Sequence, residues 1–185
     1  MKALNEDEKK FVLQYNKGLC VNAALGSVIF PASILMFYHG TIDLTPKNEA
    51  LNTFEERMTF TLRTLAIQLV MVVVQMYYVI WQRLNTPALD PLNGYEHIVQ
   101  KAKNILNNSL EQLLVFAFSL LILATQLDPI MLGRMIPGLN LIYFIGRVLY
   151  WIGYPRARGL GFALNNFAIV LTVSLNLYSF VQLYF

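Results

Sequence analysis

The 185-residue chain reads as an all-α integral membrane protein with five crossings, on three observations. Charged residues make up 14% of it and hydrophobic ones 56%, with a mean hydropathy of +0.49. A soluble domain carries about 25% charged residues, so this composition suits lipid as the solvent. Five apolar stretches are each long enough for the roughly 30 Å hydrocarbon layer. None alternates apolar with polar residues as a barrel strand would, which leaves helices.

The first crossing spans Gly18–Tyr38 behind a tail, residues 1–17, that carries Lys9, Lys10 and Lys17. Its apolar run is longer than the 7–15 residues of a secretory signal, so it reads as a retained helix, with Pro31 as an expected kink. The second spans Thr61–Trp81, the third Ser109–Leu127, the fourth Pro137–Tyr154 and the fifth Phe162–Phe185. Breakers gather at Thr41–Pro46, Thr86–Gly94 and Asp128–Gly138, where loops are expected.

Basic residues set the orientation. Lys2, Lys9, Lys10, Lys17, Arg83, Lys101, Lys103, Arg156 and Arg158 fall on one side, against Lys47, Arg57, Arg63 and Arg134 on the other. The positive-inside rule then predicts a cytosolic N-terminus. The net charge of +3 comes with no basic run interleaved with aromatics, which argues against nucleic acid as a partner. The single cysteine, Cys20, excludes an intrachain disulfide, and His39 and His97 are too few for metal catalysis.

Arg147 lies inside the fourth segment, where a guanidinium costs roughly 2.5–3.5 kcal/mol to insert. Such a charge needs a partner or a water-filled cavity. Asn140, Tyr143, Arg147, Tyr150 and Tyr154 follow helical spacing on one face, as do Lys101, Asn104, Asn108 and Glu111 in the third helix, which begins at Lys101 ahead of its apolar segment. Glu111 and Arg147 sit at matching depth, so a Glu111–Arg147 contact is expected, either as a structural salt bridge or as part of a ligand site. Gln68, Gln75 and Gln82, at heptad spacing, and the Asn165, Thr172 and Asn176 stripe read as interhelical hydrogen-bonding groups.

Two stretches carry more. Asn108-Ser-Leu-Glu-Gln112, then Gly146-Arg-Val-Leu-Tyr-Trp-Ile-Gly-Tyr154, with Arg158-Gly-Leu-Gly-Phe162 after it, resemble the MAPEG superfamily, the membrane-associated proteins of eicosanoid and glutathione metabolism, and most of all its mattrin branch. The resemblance runs from about Thr61 to the end. It implies a MAPEG-like four-helix membrane domain over residues 61–185, preceded by one extra N-terminal transmembrane helix and loop over residues 18–60. It also implies a homotrimer in an endomembrane (endoplasmic reticulum, Golgi or lysosome), with glutathione sites on the cytosolic side between subunits.

Position by position, the resemblance assigns glutathione contacts to Arg83, Lys101, Asn108, Glu111, Arg147, Tyr150 and Tyr154, and activation of the thiol to Arg158. Related enzymes carry arginines near the positions of Lys101 and Asn104. A lysine offers a point charge there rather than a bidentate fork, and Asn104 offers none. Two functions follow from the resemblance: a glutathione transferase or peroxidase acting on lipophilic electrophiles, or a non-catalytic mattrin-like regulator that binds lipid, glutathione or other membrane proteins. A channel would need polar faces along whole helices, whereas the third helix is predominantly apolar from Leu113 to Ala124.

Overall fold

A computed structural model describes residues 6–46 and 50–184, with side chains from residue 18 onward apart from Leu19. It is all-helical among the described residues: α1 (Glu6–Tyr38), α2 (Phe54–Leu84), α3 (Glu96–Gln126), α4 (Pro129–Gly153) and α5 (Gly159–Tyr184), with two short 3-10 turns, Pro87–Leu89 and Pro91–Asn93, between α2 and α3. All five helices are long and apolar enough to cross a membrane, and the chain is a multi-pass membrane protein.

The helices overrun the apolar segments expected from sequence. α1 starts at Glu6, inside the expected tail, because Glu, Lys, Leu and Gln there are good helix formers. Its apolar span is Cys20–Tyr38, and the helix continues through Pro31. The larger correction is at Asp128–Gly138. Only Leu127 and Asp128 separate α3 from α4. The Asp128 side chain accepts hydrogen bonds from the Ile130 and Met131 amides, both at 3.1 Å, and Pro129 fills the first helical position, where no donor is needed. Pro137 therefore lies inside α4. Its ring faces the carbonyl of Gly133, a residue with no side chain to crowd it, and neighbouring helices make such prolines tolerable in lipid.

Side-chain bonds fasten the ends. Thr53 and Glu56 form a reciprocal capping box at the start of α2. Arg57 donates to the Leu51 carbonyl at 3.1 Å and to the Leu127 carbonyl at 2.9 Å, joining α2 to the α3–α4 turn. After α1, Asp43 meets Arg134 of α4 at 3.5 Å. Hydrogen bonds from Thr45, and then the Arg134 guanidinium, hold the Asp43 carboxyl below the usual range.

α4 is the hub. It packs against each of the other four helices, and its pairing with α5 is among the closest. In lipid, packing rather than water exclusion drives such contacts, so small residues sit where backbones approach. A Cβ on Gly161 of α5 would lie 2.3 Å from the Tyr150 amide nitrogen and 2.5 Å from the Gly146 carbonyl of α4. Gly138 lies under the Phe37 ring of α1, and Gly26 of α1 lies on Ala163 of α5. Around these contacts Phe116, Leu120 and Leu123 of α3 interleave with Leu132, Ile136 and Leu139 of α4 and with Leu164 and Ala168 of α5.

Because both atoms facing Gly161 belong to the α4 backbone, Gly161→Ala must push the helices apart. Thermal unfolding in detergent should show it destabilised by roughly 1–3 kcal/mol, while Gly18→Ala, at a glycine with nothing within 4 Å, leaves the midpoint unchanged or slightly raised. Equal stability of the two variants would contradict the close packing of α4 on α5.

Candidate functional site

The polar stripes of α3 and α4 do meet, and Arg147 lies where they do. It is 2% exposed, enclosed by α2, α3 and α4. Its Nη1 donates to Asn108 Oδ1 at 3.0 Å and, at the long limit of 3.5 Å, to Ser109 Oγ. The Tyr143 and Tyr150 rings flank the guanidinium, each centroid 5.3 Å from Cζ, and each such contact contributes about 0.5–2 kcal/mol. Tyr143 in turn stacks on Phe116 of α3, ring centroids 4.1 Å apart. Arg147 Nε and Nη2 have no hydrogen-bond partner among the described residues. A cavity of about 10 Å³, close to the size of one water, adjoins the side chain between Gln68, Ser109 and Tyr143.

The expected Glu111–Arg147 pair is not formed within the chain. Glu111 is exposed, and Arg147 takes the neutral Asn108 instead. Residues 108 and 111 are both compatible with the α3 stripe, but they point about 60° apart around the helix axis, and α4 packs on the Asn108 side.

Toward the end of the bundle that holds most of the basic residues, the stripe opens. Tyr150, 3% exposed, packs against Tyr154 with ring centroids 5.6 Å apart. Asn104 of α3 donates to the Tyr154 hydroxyl at 3.3 Å and accepts from Gln100. Arg158 lies over the Tyr154 ring at 5.2 Å and within hydrogen-bonding reach of Tyr150. Of the residues proposed from sequence, Asn108, Arg147, Tyr150, Tyr154 and Arg158 thus form one continuous cluster from the core to this mouth. Arg83 is engaged elsewhere: it pairs with Glu96, which also binds Lys103 at 2.9 Å, and it donates to the Ala88 carbonyl at 3.0 Å. It fastens the α2–α3 connection. Lys101 is exposed on α3, apart from these contacts.

Three participants escaped the sequence reading. Ser109 adjoins Asn108 and had no periodic signal of its own. Glu96 opens α3 and gave no hint that Arg83 would reach across the loop. Thr64 of α2 completes a polar link in which Gln68 donates to the Asn140 carbonyl at 2.9 Å and the Asn140 amide donates to Thr64 at 3.0 Å. Of the other residues expected to bridge helices, Asn176 does so, donating to the Ser119 carbonyl at 2.8 Å, whereas Gln82 donates to the Tyr78 hydroxyl and Thr172 to the Ala168 carbonyl on their own helices, and Asn165 has neither amide atom partnered among the described residues. Gln75 is buried with neither amide atom partnered among the described residues.

The arrangement makes Asn108, not Glu111, the residue that supports the buried charge. Asn108→Leu should lower stability by about 1.5–3 kcal/mol, the scale of a lost hydrogen bond to a charged group, while Glu111→Gln leaves unfolding unchanged. An equal loss in both variants would return Glu111 to the role of partner.

The family model of the MAPEG family matches residues 60–178. That stretch takes in α2 from Phe60, all of α3 and α4, and α5 as far as Tyr178, and it leaves α1 outside. Comparison with curated proteins and with solved structures finds no match. The matched region is well over half of the chain and contains the whole buried cluster around Arg147, and on this ground the chain belongs to the MAPEG family, a superfamily of membrane proteins of glutathione and eicosanoid metabolism.

Proposed function

We propose that the chain is a glutathione-dependent transferase or peroxidase acting on lipophilic electrophiles, with its site at the basic mouth of the bundle, facing the cytosol. The observation that carries this reading is the placement of Arg158 against Tyr154 and Tyr150. Glutathione brings a thiol, two carboxylates and an ammonium group. The thiol of such a ligand has a pKa near 8.5, and only its thiolate is a strong nucleophile. A guanidinium beside it stabilises the anion, which is the role proposed for Arg158, with the Tyr154 hydroxyl as hydrogen-bond donor. Exposed Lys101 attracts a carboxylate in this reading, and exposed Glu111 receives the ammonium. Arg147 acts from behind, fixing Asn108 and Tyr150 in position.

Few of the proposed cations of the site point outward: Arg147 is buried and Arg83 is tied to Glu96. We infer that the site is completed by a neighbouring copy in a homotrimer within an endomembrane. The same two observations favour a second reading, a mattrin-like regulator that binds lipid, glutathione or other membrane proteins without turnover.

Calorimetry with glutathione and conjugation of a chlorodinitrobenzene electrophile separate the two. In the enzyme, wild type binds glutathione at millimolar concentration or tighter, and Arg158→Ala lowers kcat by roughly 100-fold, the scale of losing one transition-state charge contact, with little change in binding. Binding without conjugation supports the regulator. No heat at millimolar glutathione overturns the glutathione site altogether.

A further inference from the structure

The helix that the family model leaves out forms a groove with α5. α1 and α5 run parallel and in register: Gly26 meets Ala163, and four residues further along each helix Phe30 meets Phe167, ring centroids 5.8 Å apart. One turn earlier stand Ala23 and Gly159, both small, and there the two helices leave a groove of about 280 Å³. It runs between Gly159 and Phe167, about 12 Å of helix against a hydrocarbon thickness of roughly 15 Å for one leaflet. Phe162, Ala163 and Phe167 line it, and Asn166 turns its amide back to the Phe162 carbonyl at 3.0 Å, so the wall offers an alkyl chain almost nothing polar.

This groove is separate from the cluster around Arg147. The α5 residues that face α4 are Gly161 and Asn165, and those facing the groove lie on the other side of the helix. Its Gly159 end adjoins the α4–α5 turn. Arg156, exposed in the α4–α5 turn three residues before Gly159, has no ion-pair partner among the described residues, and no acidic residue follows Asp128 in the sequence.

We propose that the α1–α5 groove holds one acyl chain of an anionic phospholipid from the leaflet at the basic end, with Arg156 receiving the phosphate. An alkyl chain matches the groove in length, in its apolar wall and in its confinement to one leaflet. A phosphate matches the exposed guanidinium of Arg156 in the turn beside it. α1 is thereby seated on α5 through a shared lipid as well as through the Gly26–Ala163 contact. The proposal is independent of any glutathione chemistry.

The test uses the full chain purified in detergent, exchanged into mixed phosphatidylglycerol and phosphatidylcholine micelles, and read by native mass spectrometry. Wild type should retain phosphatidylglycerol in preference to phosphatidylcholine, and Arg156→Gln should reduce that preference about fivefold, the effect of one basic residue at a membrane surface. Ala23→Leu, which fills the groove, should lower retention of both lipids, whereas Ala24→Leu on the exposed neighbouring face should not. Arg156→Gln changes an exposed turn, so its result stands even if Ala23→Leu folds poorly. Equal retention of the two lipids by wild type overturns the proposal. So does unchanged retention in Ala23→Leu, or an altered oligomeric state of that variant with its lipid intact, which would assign the groove to a second copy of the chain.

Discussion

The burial of one guanidinium constrains the whole bundle. Arg147 is held away from bulk water, so the groups that meet its guanidinium must have fixed positions in turn. Asn108 fixes the depth of α3 against α4, and the Tyr143 and Tyr150 rings each take the guanidinium as a cation–π partner, with Tyr143 anchored on Phe116. Sliding either helix by a residue would strand the charge. The pair therefore has one register, where apolar side chains alone would accept several.

That constraint explains why α4 is the hub. With its polar stripe turned to α2 and α3, its opposite face is left to glycines, and α5 closes onto it until backbones touch at Gly161. The mouth of the site then follows from geometry. Tyr150 continues the Arg147 stripe one turn on, Tyr154 another, and the tight α4–α5 turn brings Arg158 back over Tyr154. The residues that hold the charge and those at the mouth belong to one helical face, so chemistry at the mouth is supported by the packing beneath it.

Much of this was legible in the sequence. Five crossings, the shared faces of Asn104, Asn108, Arg147, Tyr150 and Tyr154, and the family itself all follow from periodicity and motif. What spacing cannot resolve is which member of a stripe points most directly at its neighbour, and so it favoured the charged Glu111 over the neutral Asn108. It also cannot see pairings across a loop, such as Arg83 with Glu96. The break expected at Asp128–Gly138 failed for a different reason: Pro137 and Gly138 are turn residues in water, but inside a packed membrane bundle they lie within α4, where Gly138 lets the Phe37 ring of α1 approach.

The two-residue connection between α3 and α4 bears on how the protein is made. α4 is the least hydropathic of the five spans and the most enclosed, with 56% of its apolar window buried against 17–33% in the others. It carries the charge that a lone helix meets lipid worst with. A ribosome delivering α4 by itself would present the bilayer with an unpaired arginine, whereas Asn108 and Ser109 have already left the ribosome in α3, only a two-residue turn away. The α3–α4 hairpin is thus the smallest unit in which Arg147 can leave the translocon with its hydrogen bonds made, and the order of the chain supplies the acceptor before the donor.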